Sequence, residues 1–124
     1  MDSGVNMKYV LLGNTGLRVS QLCFGSLTIS KLQANLGLGE GANVIKSAFE
    51  QGVNFIDTAE LYDNYSYIRE ALKGQREKII ISTKCYAYTE DGAEKSLKKA
   101  MDELETDYID IFSLHEQESD NTIR

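Results

Sequence analysis

The chain has 124 residues, 42% of them apolar and 26% charged, the balance of an ordinary one-domain globular protein. Its net charge of −6 and pI near 4.8 exclude a basic nucleic-acid surface, because phosphate binding needs clustered Lys and Arg. No stretch reaches the roughly 18 to 20 apolar residues of a membrane span, and MDSGVNMKYV lacks the apolar run of a signal peptide, so a cytoplasmic chain with no membrane partner is expected.

Residues 1–7 read as an N-terminal extension, since MKYVLLG is itself a plausible start. KYVLLGNTGLRVSQL then has two apolar runs around Asn14-Thr15-Gly16, a hairpin signal because Gly16 can take positive φ. LCFGS reads as a buried strand ending in Gly25 and Ser26. EGANVIKSAFEQG places Val44, Ile45, Ala48 and Phe49 at helical spacing and stops at Gly52, a C-cap glycine. VNFIDTA is the next strand, YSYIREALKG a short helix ending at Gly74, and EKIIISTKC a further strand. DGAEKSLKKAMDELE puts Ala93, Leu97, Ala100, Met101 and Leu104 on one side of a helix, and DYIDIFSLH is a fourth strand.

The order after the hairpin is β-α-β-α-β-α-β, with connections that demand parallel strands. Runs such as III and IF read as strands buried on both faces. The pattern fits a doubly wound sheet or part of a (β/α)8 barrel. A complete barrel takes about 250 residues, so this chain corresponds to about half of one, with two open sheet edges. Cys23 and Cys85 lack CxxC spacing and read as free buried thiols at strand ends.

In parallel α/β folds catalytic groups gather at the carboxyl ends of strands. Here those ends carry Gly25-Ser26, Asp57, Lys84 and His115, with Tyr62 on the loop after Asp57. A phenol titrates near pH 10 and is a poor acid-base group until a nearby ammonium stabilises its anion. Asp57 can keep Lys84 charged, and His115, the single histidine, can donate to a carbonyl oxygen. Together they suit protonation of an alkoxide as it forms, as carbonyl reduction requires. Taken singly, an Asp, Lys or His at a strand end is more often a cap or a surface charge. Four types needed by one mechanism at successive strand ends favour catalysis.

At these residues the sequence resembles the aldo-keto reductase superfamily, from Lys8 to the last residue. LGNTGLRVSQLCFGS is similar to its N-terminal hairpin and first barrel strand, and GVNFIDTAELY to its most specific motif. IISTK and DYIDIFSLH resemble the strands that carry its Lys and His. The resemblance implies a (β/α)8 barrel, of which residues 8–124 would be the N-terminal half, truncated after the fourth strand. It implies a tetrad of Asp57, Tyr62, Lys84 and His115, with Tyr62 the general acid, Lys84 and Asp57 its pKa modifiers and His115 the group orienting the substrate carbonyl. It also implies NADP(H) as cofactor, reduction of aldehydes or ketones by hydride transfer, and Gly25, Ser26, Leu27 and Asp57 near the nicotinamide-ribose end. SLTISKLQANL and LHEQES are similar to a bacterial branch whose full-length members often carry C-terminal iron–sulfur motifs.

The family's second half supplies the nicotinamide-stacking residue and the pocket for the 2′-phosphate, and this sequence has neither. The chain alone is therefore expected to be inactive. The alternative is a non-catalytic half-barrel that self-associates, or pairs with another chain, through its open edges. Three further signals carry less. GLGEGA is GxGxG, not GxGxxG, and reads as a loop before a helix. HEQE lacks a second histidine, so no metal site is read from His115, Glu116 and Glu118. Tyr65-x-x-x-Arg69 lacks the lysine of short-chain dehydrogenases and reads as helix packing.

Overall fold

The computed structural model describes residues 6–117. Strands β1 (Tyr9–Leu11) and β2 (Arg18–Ser20) form the expected antiparallel hairpin, pairing Tyr9 with Ser20 and Leu11 with Arg18. Thr15 Oγ1 donates to the Leu12 carbonyl at 2.6 Å and Gly16 turns at φ +77°, which closes the loop. Asn54 fixes the hairpin to the rest of the protein. Its Oδ1 accepts from Ser20 N–H at 2.7 Å and its Nδ2 donates to the Arg18 carbonyl at 3.0 Å.

Four parallel strands follow, in spatial order β3 (Phe24–Gly25), β4 (Phe55–Asp57), β5 (Ile80–Cys85) and β6 (Ile111–Leu114). Between them run α1 (Leu38–Glu50), α2 (Tyr65–Leu72) and α3 (Glu90–Leu104). This is the arrangement of half a (β/α)8 barrel preceded by a hairpin. Asn54 stands just before β4 and Asp57 at its end, so the hairpin docks at the strand start, away from the carboxyl ends.

The helices cover one face of the sheet. Ile56 and Ile81, each 0% exposed, lie against Ile45 and Phe49 of α1, Ile68 and Leu72 of α2, and Leu104 of α3. Burying one such side chain stabilises the fold by roughly 1.5–3 kcal/mol. Successive strand residues point to opposite faces. The opposite face therefore carries Phe55, Asp57, Ile80, Ser82, Lys84 and Ile111, all half-buried. The strands are thus covered on one side only among the described residues, where the apolar runs suggested burial on both.

Each helix has a local cause. α1 ends in a motif where Gly52 N–H donates to the Phe49 carbonyl and Val53 N–H to the Ala48 carbonyl, with Gly52 at φ +100°. It starts at Leu38, two residues before the expected start, and takes Gly39 and Gly41 of GLGEGA into its first turns. Val44, expected on the apolar stripe, is exposed, because Gly41, Ala42, Ile45 and Phe49 form that stripe. α3 is capped by Thr89, whose Oγ1 accepts from Gly92 N–H at 3.1 Å, with Glu90 and Asp91 in the first turn. Its face is narrower than expected: Ala100 and Leu104 are buried, while Ala93, Leu97 and Met101 are half-buried.

The expectation of two buried thiols holds for Cys85 and fails for Cys23, which is exposed. β3 is only two residues long and forms the sheet edge, so Leu22 and Cys23 lie outside the helix-covered layer. Tyr65 and Ile68, 2% and 0% exposed, pack in the core, which accounts for the Tyr65-x-x-x-Arg69 pattern. Among the described residues no helix is long and apolar enough to cross a membrane.

Candidate active site

Register explains how separate strands converge. Gly25 of β3 pairs with Asp57 of β4, Asp57 with Ser82 of β5, and Lys84 stands two residues beyond Ser82 on the same face. Lys84 can therefore lean diagonally onto β4. Its Nζ donates to Asp57 Oδ1 and Oδ2, each at 3.0 Å, and to the Thr58 carbonyl at 2.7 Å. These three acceptors use the three protons of the ammonium. The Lys84 side chain is 18% exposed and that of Asp57 42%, so the pair is sheltered without being sealed.

After Asp57 the chain makes one 3-10 turn, Glu60–Tyr62, closed by Tyr62 N–H on the Ala59 carbonyl and ended by Asp63 at φ +52°. This turn folds Tyr62 back over the strand ends, where it is 9% exposed and its ring centroid lies 5.3 Å from Lys84 Nζ. That is within reach of a cation–π contact. His115 follows β6 and extends the ladder by one bond, its N–H donating to the Cys85 carbonyl at 2.8 Å. It is 7% exposed and meets Tyr62 edge to face, with centroids 6.2 Å apart and planes at 88°. Asp57, Tyr62, Lys84 and His115 thus form one cluster at the carboxyl ends of β4, β5 and β6.

Gly25, Ser26 and Leu27 flank it at the end of β3. A Cβ on Gly25 would meet nothing within 4 Å, so space stands open beside Asp57. Ser26 is fully buried, and among the described residues its Oγ has no hydrogen-bond partner. Leu27 is half-buried. Glu118 lies outside the described residues, as do residues 1–5 of the N-terminal extension and the rest of the C-terminal segment. Met7, the last residue of that extension, lies against Gly52. Among the described residues no three of His, Cys, Asp or Glu group as metal ligands.

Sequence reasoning missed three contributors. Thr58 supplies a carbonyl to Lys84 while its Oγ1 donates to Asn64 Oδ1 at 3.1 Å. Asn64, 1% exposed, then donates to the Ser26 carbonyl at 2.9 Å, tying the β3 loop to the β4 loop. Tyr86 stacks on His115 and donates to Glu116 Oε2 at 2.9 Å. Tyr86 could have been found by strand alternation, being two residues past Lys84. No comparable signal marks Asn64, whose bond to the Ser26 carbonyl spans 38 residues of sequence.

Electrostatics is uneven across the site. Cys23, though exposed, is partly desolvated, which pushes its thiol up to about 11, and the nearby Asp57 carboxylate adds to the effect. The hydrogen bond to Glu116 raises the Tyr86 phenol above its usual value. At the rim, Lys31 bonds Asp63 at 2.8 Å and holds that carboxyl below the usual carboxylate range. A groove of about 390 Å3 opens between Glu60, Leu61, Asp63, Tyr86 and Lys99, next to the cluster. A second groove, about 230 Å3, lies at the opposite strand ends beside Gly74, Arg76 and Glu105, away from this chemistry.

Comparison with known proteins places this geometry. The sequence profile of the Aldo/keto reductase family matches residues 21–124. YqkF, an uncharacterized oxidoreductase of Bacillus subtilis, is 31% identical over 119 residues, covering 84% of this chain and 37% of that protein. L-galactose dehydrogenase of Arabidopsis thaliana is 30% identical over 119 residues, covering 86% and 37%. The holo structure of an aldo-keto reductase from Bacillus halodurans superposes with a TM-score of 0.76 at 32% identity, covering 89% of this chain and 40% of that one. The chain thus spans less than half the length of these relatives. With the profile matching most of its residues and the half-barrel superposing on solved members, the chain belongs to the aldo/keto reductase family.

Proposed function

We propose that this chain carries the acid-base half of a carbonyl-reducing active site, in a protein that converts aldehydes or ketones to alcohols. The observation that carries this reading is the Lys84 ammonium, held by Asp57 and the Thr58 carbonyl, 5.3 Å from the Tyr62 ring. Positive charge beside a phenol stabilises the negative charge left when the phenol gives up its proton. Tyr62 would protonate the carbonyl oxygen as alkoxide character develops there, Asp57 would keep Lys84 charged and fixed, and His115 would orient the carbonyl by a hydrogen bond.

NADP(H), when bound, would supply the hydride. The residues present fit its nicotinamide end: Gly25 leaves open space beside Asp57, and the buried Ser26 hydroxyl awaits a partner. The lysines at this end are engaged, Lys31 with Asp63, Lys84 with Asp57 and Lys99 with Glu60 and Glu103. A 2′-phosphate would need cations from elsewhere. We read residues 8–124 as one partial barrel domain acting in the cytoplasm.

A second reading rests on Phe55, Ile80 and Ile111, half-buried on the sheet face away from the helices. By itself this chain would then associate through that face without catalysing anything. A fluorescence titration of the 124-residue chain with NADPH, alongside light scattering, separates the readings. Saturable binding, with aldehyde turnover lost in Tyr62→Phe, supports a working site. No binding, with a mass near twice 13.9 kDa, supports the associating half-barrel.

A further inference from the structure

His115 lacks the usual device for fixing an imidazole plane. A histidine that must present one ring nitrogen commonly anchors the other by a hydrogen bond. Here Nδ1 is buried and, among the described residues, has no hydrogen-bond partner. The ring is held instead by aromatic contacts on two sides. Tyr86 lies face to face with it, centroids 4.3 Å apart and planes within 17°, while Tyr62 meets it edge-on.

Tyr86 is in turn tethered. Its hydroxyl donates to Glu116 Oε2 at 2.9 Å, and the other oxygen of the same carboxylate lies 3.7 Å from His115 Nε2. The backbone at Glu116 takes φ +48°, a left-handed conformation that is uncommon for a residue other than glycine. Such strain persists only when the surroundings enforce it, and it gathers at functional sites. Without that turn the residue after His115 would continue the strand direction and its side chain would point to the other sheet face. The strain, the stack and the tether all act on one imidazole.

We propose that Tyr86 is a positioning residue that clamps His115 and sets the plane of its imidazole, with Glu116 tethering the Tyr86 hydroxyl. The proposal rests on the carbonyl-reductase reading for its consequence, since the clamp would fix the group that orients the carbonyl. Its geometric content stands apart from that reading. Tyr86→Phe keeps the stack and loses the tether, Tyr86→Leu loses both, and Glu116→Gln keeps an acceptor while removing the charge.

His115 is the only histidine, so its two carbon-bound ring protons give unambiguous NMR signals. In the wild-type chain both signals are displaced upfield by the Tyr86 ring current, and a nuclear Overhauser contact joins the two rings. Tyr86→Leu abolishes both effects, while Tyr86→Phe retains most of the displacement and restores the contact. Glu116→Gln retains them. Wild-type signals at the positions of a free histidine peptide, or unmoved by Tyr86→Leu, overturn the clamp whatever the turnover. In a preparation that reduces aldehyde, Tyr86→Leu lowers kcat/KM by roughly 10- to 100-fold, the scale for a misplaced catalytic group. Tyr86→Phe recovers most of it with NADPH affinity unchanged. Turnover indifferent to Tyr86→Leu overturns the positioning role. Absence of turnover with the ring-current signature intact refutes reductase activity of this chain, so the two failures are told apart.

Discussion

Replacing Arg76 by alanine should unfold the register that brings the site together. The Arg76 guanidinium donates to Thr106 Oγ1 at 2.9 Å, the Ile79 carbonyl at 2.6 Å, the Tyr108 carbonyl at 2.9 Å and Asp110 Oδ2 at 2.9 Å, and it stacks 3.8 Å above the Tyr108 ring. Asp110 Oδ2 also accepts from Ile81 N–H at 2.9 Å. Asp110 directly precedes β6 and Ile81 lies in β5, so this carboxylate sets the alignment that faces Lys84 with Ser113. The side chains are 16% and 12% exposed.

Removing one member of a buried ion pair costs about 3–5 kcal/mol, and residual water access here trims that to about 2–4 kcal/mol. With m near 2 kcal/mol/M for a domain of this size, the urea midpoint falls by on the order of 1–2 M. Arg76→Lys keeps the charge, loses the fork and costs roughly half as much. Asp110→Asn in the Arg76→Ala background costs less than alone, with a coupling of about 1–3 kcal/mol. An Arg76→Ala loss under about 1 kcal/mol, or strict additivity with Asp110→Asn, would show that this ion pair does not hold the β5–β6 alignment.

Gly52→Ala forces a Cβ onto φ +100° and to 3.0 Å from Met7 Cβ, so it lowers the melting temperature by roughly 6–12 °C, whereas an unchanged melt contradicts the packing described. Asn64→Ala strands the Thr58 hydroxyl and the Ser26 carbonyl and destabilises by about 2–3 kcal/mol in urea, with a loss below about 0.5 kcal/mol counting against that bridge. Cys23 is exposed, yet its thiol is raised from the usual 9.0 to about 11, so iodoacetamide alkylates it at pH 8 about 100-fold more slowly than a free thiol. The sign for stability follows. The raised group favours the fold fully below pH 9, and that contribution is lost as pH rises toward about 11. Labelling at the free-thiol rate would contradict it.

Much of this was readable from local pattern. The hairpin, the alternation of strands and helices, and Asp57, Lys84 and His115 near strand ends follow from periodicity and from the sheet's period of two. Burial was harder to read. An apolar run such as Ile79-Ile80-Ile81 does not say which of its faces is covered, and the answer depends on which elements lie opposite. Cys23 was misplaced for the same reason: an apolar neighbourhood in sequence became a two-residue edge strand in space. Asn64 and Tyr86 act through contacts set by tertiary closeness, and composition is silent about those.

The most direct test of Tyr62 as proton donor puts these residues into a complete barrel. Residues 8–117 would replace the matching segment of the Bacillus halodurans aldo-keto reductase, and NADPH consumption would be followed with a simple aldehyde. The chimera is expected to fold and turn over, with Tyr62→Phe lowering kcat by roughly 10²- to 10⁴-fold and NADPH binding intact. A folded, NADPH-binding chimera that is inert, or one whose turnover survives Tyr62→Phe within about tenfold, would contradict Tyr62 as the proton donor.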